Sequence, residues 1–298
     1  MNIVIIGAGA LGSLFGARLA QAQAHVVLFD RNAVRATALH NRVTLREKGQ
    51  DQTLTLSISS KPTVLQQADL ILLCTKSGDV QHGLELIRHN APAQAIILGF
   101  QNGIAHINAI KTLNYGCFGV TAQGATLLQP GHVQHGGNGP TIIGHLSDKD
   151  IDLQPIATLL SKANIPTTVT QEIERELWQK LLINIGINGL TVIYNCENGR
   201  LLDTPQAKTR LIRLVEEGVT VAKARHIAIN TDPVQRCLDV CTATAINISS
   251  MLQDFRKQKP SEIMAINGAL VQEAEKLGIA TPENKLLIQQ VLNLWPSQ

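Results

Sequence analysis

Apolar residues along the chain fall into two kinds of run. In the first half, short continuous runs recur at Asn2–Ile6, Val26–Phe29, Leu70–Thr75 and Ala95–Phe100. Between them lie segments with helical spacing, Leu11–Gln21 and Val80–His89. Continuous apolar strands separated by helices predict a parallel sheet covered on both faces. From Phe118 to Gly144 the chain turns rich in Gly and Thr, with short strand candidates between turns. That texture predicts irregular or antiparallel strands added to the same domain. A helix in "DLQPIATLLSKA" and a last short strand in "IPTTVT" close this half, which places a domain boundary near Val169.

The second half reads as helices. Gln206–Arg225, Pro233–Phe255 and Pro260–Leu277 are amphipathic segments. "WQKLLINIGINGLT", Trp178–Thr191, is different. Leu181, Leu182, Ile183, Ile185, Ile187 and Leu190 make it a buried helix, yet Lys180, Asn184 and Asn188 recur every fourth residue. Residues four apart are neighbours on a helix surface, so the ammonium and the two amides share one side. Buried amides and ammonium groups need partners. Three in line therefore predict either a structural network or a polar stripe facing a site, and the spacing favours the stripe.

Composition adds boundaries. A chain of 298 residues with 44% hydrophobic and 16% charged residues is an ordinary core-forming protein of two domains. A net charge of +3 without a basic run gives no reason to expect nucleic acid or an acidic membrane as a partner. The five cysteines form no CxxC, which favours buried thiols over a disulfide framework. No metal site is expected, and His132 and His135 read as loop or strand residues. The start "MNIVIIGAGA" has no signal-peptide pattern and no apolar run is long enough to span a membrane, so the cytoplasm is the expected compartment.

Candidate chemistry sits at three places. Gly7-Ala8-Gly9-Ala10-Leu11-Gly12 matches GxGxxG between a predicted strand and a predicted helix, the context in which the pattern signals a bound dinucleotide pyrophosphate. The second strand ends in Asp30-Arg31. An acid there usually bonds the ribose 2′-hydroxyl of NAD, whereas an Arg accommodates the 2′-phosphate of NADP, and the sequence rule does not choose between them. Lys76 and Asn102-Gly103 follow later strands; each reads equally as a ligand contact or as an exposed loop or turn. Downstream, Ser249, Ser250, Gln253 and Asp254 form a polar cluster before Pro260, and Glu262 opens the next helix.

Together these residues resemble the ketopantoate reductase (2-dehydropantoate 2-reductase) family. The likeness runs through nearly the whole chain: GAGALG at Gly7–Gly12, the lysine of "CTKSGDV", "QNG" at Gln101–Gly103 and "PGHVQHGGNGPTIIG" at Pro130–Gly144. "ERELWQKLLINIGINGLTVIYNCENG" and "NISSMLQDFRKQKPSEIMAING" are its most specific blocks. The resemblance implies an α/β Rossmann-type doubly wound domain, residues 1–169, and an all-helical domain like that at the C-terminus of 6-phosphogluconate dehydrogenase, residues 170–298, with the site between them. It implies NADPH-dependent reduction of 2-dehydropantoate to (R)-pantoate, on the way to pantothenate and coenzyme A. It makes Lys180 and Glu262 catalytic. It gives the cofactor to Gly7, Ala8, Gly9, Ala10, Leu11, Gly12, Arg31, Lys76, Asn102 and Ala125. It gives the substrate to Asn102, Lys180, Asn184, Asn188, Asn198 and Ser250, with Asn102 acting from the Rossmann side.

Two departures stand out. Gly189 replaces a Pro found in many relatives, which puts the local helix end and the Asn188 contact in question. Asp30 beside Arg31 leaves NADH open as a cofactor. Two other functions stay in view: reduction of a different 2-oxo acid or an opine-type imine on the same scaffold, and a nucleotide-sensing protein without turnover. The expected partner is a small-molecule 2-oxo acid, with monomer or homodimer left open.

Overall fold

The structure, a computed structural model, describes residues 1–146, 151–229 and 231–295. It comprises two compact units. The first holds Met1–Gln101 and His106–Ile173, and the second holds Asn102–Ala105 and Glu174–Gln298.

In the first unit β1 (Ile3–Ile6), β2 (Val26–Phe29), β3 (Arg42–Glu47), β4 (Gln50–Thr55), β5 (Ser57–Ser59), β6 (Leu70–Leu73), β7 (Ile96–Gly99), β8 (Gly116–Gln129), β9 (His132–His145) and β10 (Thr167–Thr170) form one sheet. Its order is β4-β3-β9-β8-β7-β6-β1-β2-β5, with β10 beside β9. Strands β5, β2, β1, β6, β7 and β8 run parallel. Every residue of β1 and β6 is buried, as strands covered on both faces require. The unit's helices are α1 (Ala10–Gln21), α2 (Ala33–Ala38), α3 (Val80–Asn90), α4 (Ile107–Lys111) and α5 (Gln154–Lys162). Phe15 of α1 meets Phe100 edge-to-face, with ring centroids 5.0 Å apart, inside a Leu, Ile and Val core. The order of the parallel strands reverses at β1, and in open sheets that switch is where ligands bind.

In this unit the expected irregular, antiparallel strands are present but longer than expected, and one hairpin was not foreseen. Phe118–Gly144 is not a set of short strands between turns. It lies in two 14-residue antiparallel strands, β8 and β9, whose register shifts at Thr121/Gln123, Gly124/Ala125 and Leu127/Gln129. Its glycines serve close approach and not only turns. A Cβ on Gly119 would lie 2.3 Å from the Phe100 ring, and one on Gly139 2.5 Å from the Ala122 carbonyl oxygen. The β3–β4 hairpin carries no apolar alternation on its outer strand, because β4 is almost wholly exposed, and it went unpredicted. Its turn is Lys48-Gly49, with φ of 47° and 80°, the left-handed pair that a tight hairpin needs.

The second unit is helical: α6 (Ile173–Tyr194, from Glu174 onward), α7 (Pro205–Ala224), α8 (Pro233–Ala243), α9 (Ser250–Arg256), α10 (Ala269–Lys276) and α11 (Pro282–Leu294). The single amphipathic segment expected over Pro233–Phe255 is two helices, α8 and α9. Ser249 caps α9 by accepting the Leu252 N–H, so a new helix starts where the old one was expected to continue. Over Pro260–Leu277 the chain enters α10 through a π-helical turn, Met264–Gly268. No described helix is long and apolar enough to cross a membrane. The five cysteines are free thiols.

Candidate active site

In the first unit the Gly-rich turn joins β1 to α1 at the switch point. Each glycine has a distinct constraint. Gly7 sits at φ 111°, and a Cβ on it would come within 2.9 Å of the Thr75 backbone nitrogen. A Cβ on Gly12 would lie 2.0 Å from the Gly7 carbonyl oxygen, so helix and turn pack at glycine distance. Gly9, at the N-cap, has nothing within 4 Å of where a Cβ would go. The first turn of α1 carries no acidic residue and no side chain caps its N–H groups. Beside the turn, the hydroxyl oxygen of Thr75 is buried without a hydrogen-bond partner among the described residues. Open space over Gly9, uncapped helix N–H groups and an unpartnered hydroxyl fit a phosphate-bearing ligand. Ala8 and Leu11 pack against the core of the unit, and Ala10 opens α1.

Around this turn lie the other nucleotide candidates. Lys76 is exposed just past β6. Arg31 is exposed and pairs with Asp79 at 2.7 Å. Ala125 lies within β8, at a register shift of the β8–β9 pair, and packs against the core. Sequence reasoning missed Arg35. Its Nη2 donates to Asp30 Oδ1 at 2.6 Å and its Nε donates to Asp30 Oδ2. The Asn32 backbone N–H also donates to Asp30 Oδ1, at 3.0 Å. This pairing, chiefly the hydrogen bond from Arg35 to Asp30, pushes the guanidinium pKa further up.

His132 and His135 lie in β9 and belong to local polar networks. His132 pairs with Asp51, and His135 bonds Glu47 at 2.6 Å and Gln123 at 3.0 Å. Among the described residues no cluster of His, Cys, Asp and Glu could hold a metal ion.

In the second unit α6 is unbroken past Gly189 to Tyr194, so the question about its end has an answer. A Cβ on Gly189 would lie 2.7 Å from Leu287 of α11, and one on Gly186 2.8 Å from Val215 of α7. These glycines let neighbouring helices pack tightly against one side of α6. Leu182 and Ile185 are buried on that side too. The other side carries Lys180 and Asn184, both half-buried, and the buried Asn188. Thr191 extends this line by a further turn and was missed. Its hydroxyl donates to the Asn188 carbonyl at 2.8 Å and shares a 2.6 Å hydrogen bond with the Ser249 hydroxyl. Ser249 is the cap of α9, so the polar line of α6 fixes where α9 begins and where the exposed Ser250 stands. Asn198 is buried: its Nδ2 donates to Thr244 Oγ1 at 2.9 Å, while its Oδ1 has no hydrogen-bond partner among the described residues.

Glu262, two residues before the π-turn, is buried and accepts a hydrogen bond from Asn102 Nδ2 at 3.2 Å. Asn102 follows β7, which suggested a residue of the Rossmann side. It instead groups with the second unit, together with residues 103–105. Gly103 explains why. At φ 80° it presses on the π-turn so closely that a Cβ would stand 2.0 Å from the Ala265 carbonyl oxygen. Burial lowers the Lys180 pKa to about 8, and the negative charge of Glu262 opposes that fall. Lys180, Glu262 and Asn102 thus belong to one electrostatic group of the second unit. An ammonium poised near neutrality beside amides can donate a proton to a developing oxyanion.

A dinucleotide-type turn on a doubly wound unit, joined to a helical unit with a titrating lysine, defines the architecture of a nucleotide-dependent oxidoreductase. Residues 3–148 match the family described as Ketopantoate reductase PanE/ApbA, and residues 172–294 match Ketopantoate reductase PanE/ApbA C terminal. The 2-dehydropantoate 2-reductase of Halobacterium salinarum is 32% identical, with 98% of each chain covered. The PanE/ApbA family ketopantoate reductase of Ralstonia eutropha JMP134 superposes with a TM-score of 0.90 at 28% identity, covering 99% of this chain and 98% of that one. D-mandelate dehydrogenase, solved with NADH and anilino(oxo)acetate, has the same TM-score at 27% identity, with 99% and 98% covered. The chain belongs to the ketopantoate reductase PanE/ApbA family.

Proposed function

We propose that this protein reduces 2-dehydropantoate to (R)-pantoate with NADPH. The carrying observation is the grouping of Lys180, Glu262 and Asn102 with the polar face of α6. The first unit would hold the nucleotide: the Gly7–Gly12 turn at the pyrophosphate, Arg31 and Lys76 at further phosphate, and Ala125 by backbone contact. A bound reduced nicotinamide supplies the hydride that reaches C2 of the 2-oxo acid.

The remaining work belongs to the chain's own side chains. As negative charge grows on the ketone oxygen, the Lys180 ammonium stabilises it and gives up a proton. With its pKa lowered to about 8 the group is mostly charged at neutral pH, yet a stronger acid than an exposed lysine. Glu262 keeps that pKa from falling further, so the proton is still present when required. Asn102, oriented by Glu262, holds the reacting end. Asn184, Asn188 and Ser250 hold the carboxylate and hydroxyl of the substrate. The unpartnered Asn198 oxygen is an acceptor for a donor on the ligand.

The likeness to D-mandelate dehydrogenase favours a second reading, reduction of an aromatic 2-oxo acid with NADH. Initial rates separate the two. A site that hydrogen-bonds the C4 hydroxyl rejects an analogue lacking it by orders of magnitude. The proposal expects ketopantoate to exceed both 3,3-dimethyl-2-oxobutanoate and phenylglyoxylate in kcat/KM. Equal or higher kcat/KM with phenylglyoxylate would overturn it.

A further inference from the structure

Asp30 occupies the position from which an acidic residue usually engages the adenosine ribose. Its side chain is only 1% exposed, and both carboxylate oxygens are engaged. Arg35 takes them in a two-pronged pair, and the Asn32 backbone adds a third donor. The clamp is built by the start of α2. Asn32 caps that helix by accepting the Arg35 N–H at 2.9 Å, which places Arg35 in the first turn, facing back to the end of β2. Outside the clamp the exposed Arg31 follows Asp30 directly and pairs with Asp79 at 2.7 Å.

We infer that Arg35 sets the cofactor choice of this chain by holding Asp30 out of the ribose site, so that the end of β2 presents cations to a 2′-phosphate. This rests on the reading of the first unit as an NADPH site and deepens it. A carboxylate with both oxygens occupied is a poor acceptor for two ribose hydroxyls. Its charge is also offset by a planar guanidinium that stays protonated. The part of Arg35 that remains exposed adds positive charge for the same phosphate. Arg35 is therefore a positioning residue acting through Asp30, and Arg31 is the direct phosphate contact, exchanging Asp79 for the ligand.

Fluorescence titration of the purified full chain with NADPH and with NADH, without 2-oxo acid, tests this. Wild type should bind NADPH more tightly. In Arg35→Gln the freed carboxylate should lower the NADPH preference on the order of 10- to 100-fold, the size expected for charge-assisted contacts. The double variant Asp30→Asn/Arg35→Gln carries no buried unpaired carboxylate, which protects folding, and should regain much of the lost NADPH affinity. If Arg35→Gln keeps the wild-type preference, or if the single and double variants bind NADPH equally, the inference is wrong while the NADPH site stands. Wild type that binds neither nucleotide would overturn the parent reading and the inference together.

Discussion

Asn102 donates to Glu262 at 3.2 Å across 160 positions of sequence, and Gly103 seals the contact by pressing its backbone on the turn that follows Glu262. The carboxylate so placed also acts on Lys180. One residue therefore links a loop after a sheet strand to the ionisation of a helix lysine.

Glu262→Gln keeps an oxygen for Asn102 but removes the charge. Without it the Lys180 pKa falls below its present value of about 8. The descending limb of kcat for ketone reduction should move to lower pH, as read from initial rates between pH 6 and 9. A limb that stays in place would show that the carboxylate does not act on the proton donor.

Gly103→Ala should destabilise the second unit. It forces a Cβ into the Ala265 carbonyl and keeps a left-handed φ, and such strain alone costs about 1–3 kcal/mol. Thermal unfolding should show a clearly lower Tm. An unchanged Tm would mean that residues 102–105 are not held as described.

Gly9→Ala and Gly12→Ala should separate binding from folding. A methyl at Gly12 collides with the Gly7 backbone, so the variant should fold poorly. A methyl at Gly9 meets no protein atom and its φ of −80° suits any residue, so the fold should keep its Tm while nucleotide affinity drops. Full nucleotide affinity in Gly9→Ala would remove the turn from the cofactor site.

Thr191→Val removes a buried hydroxyl that bridges Asn188 and Ser249. Loss of such a partner costs about 1–3 kcal/mol. Because Ser249 starts α9, KM should rise more than kcat falls if Ser250 holds substrate. A change in Tm with unaltered kinetics would make the link purely structural.

How much of this is legible in the sequence follows from the range of each constraint. The Gly-rich turn is readable because its demands are local: a strand, a bend and a helix in consecutive residues. The line Lys180–Asn184–Asn188 is readable because helical period alone puts it on one side. Thr191 continues that line, but its role depends on Ser249, 58 positions away, and no local pattern joins them. Arg35 escaped because its contact requires the exact start of α2, which Asn32 sets. The β3–β4 hairpin escaped because a strand exposed along its length carries no alternation. Asn102 was assigned by its neighbours in sequence, whereas packing at Gly103 decides where it belongs.

The pH dependence of Lys180 bears most directly on the account. The ammonium must be present to protonate the ketone oxygen, so reduction should slow as pH rises through the lowered pKa of about 8, whereas oxidation of pantoate should quicken over the same range. At Lys180 the folded chain binds fewer protons than the unfolded one between that value and the ordinary 10.5, so this group's own contribution to stability increases with pH there. The measurement is kcat for ketopantoate reduction from pH 6 to 10 in wild type and Lys180→Ala. Wild type should show a limb near pH 8, and the variant should be slowed about 100- to 10,000-fold with that limb gone. A variant that keeps both the rate and the limb would contradict the account.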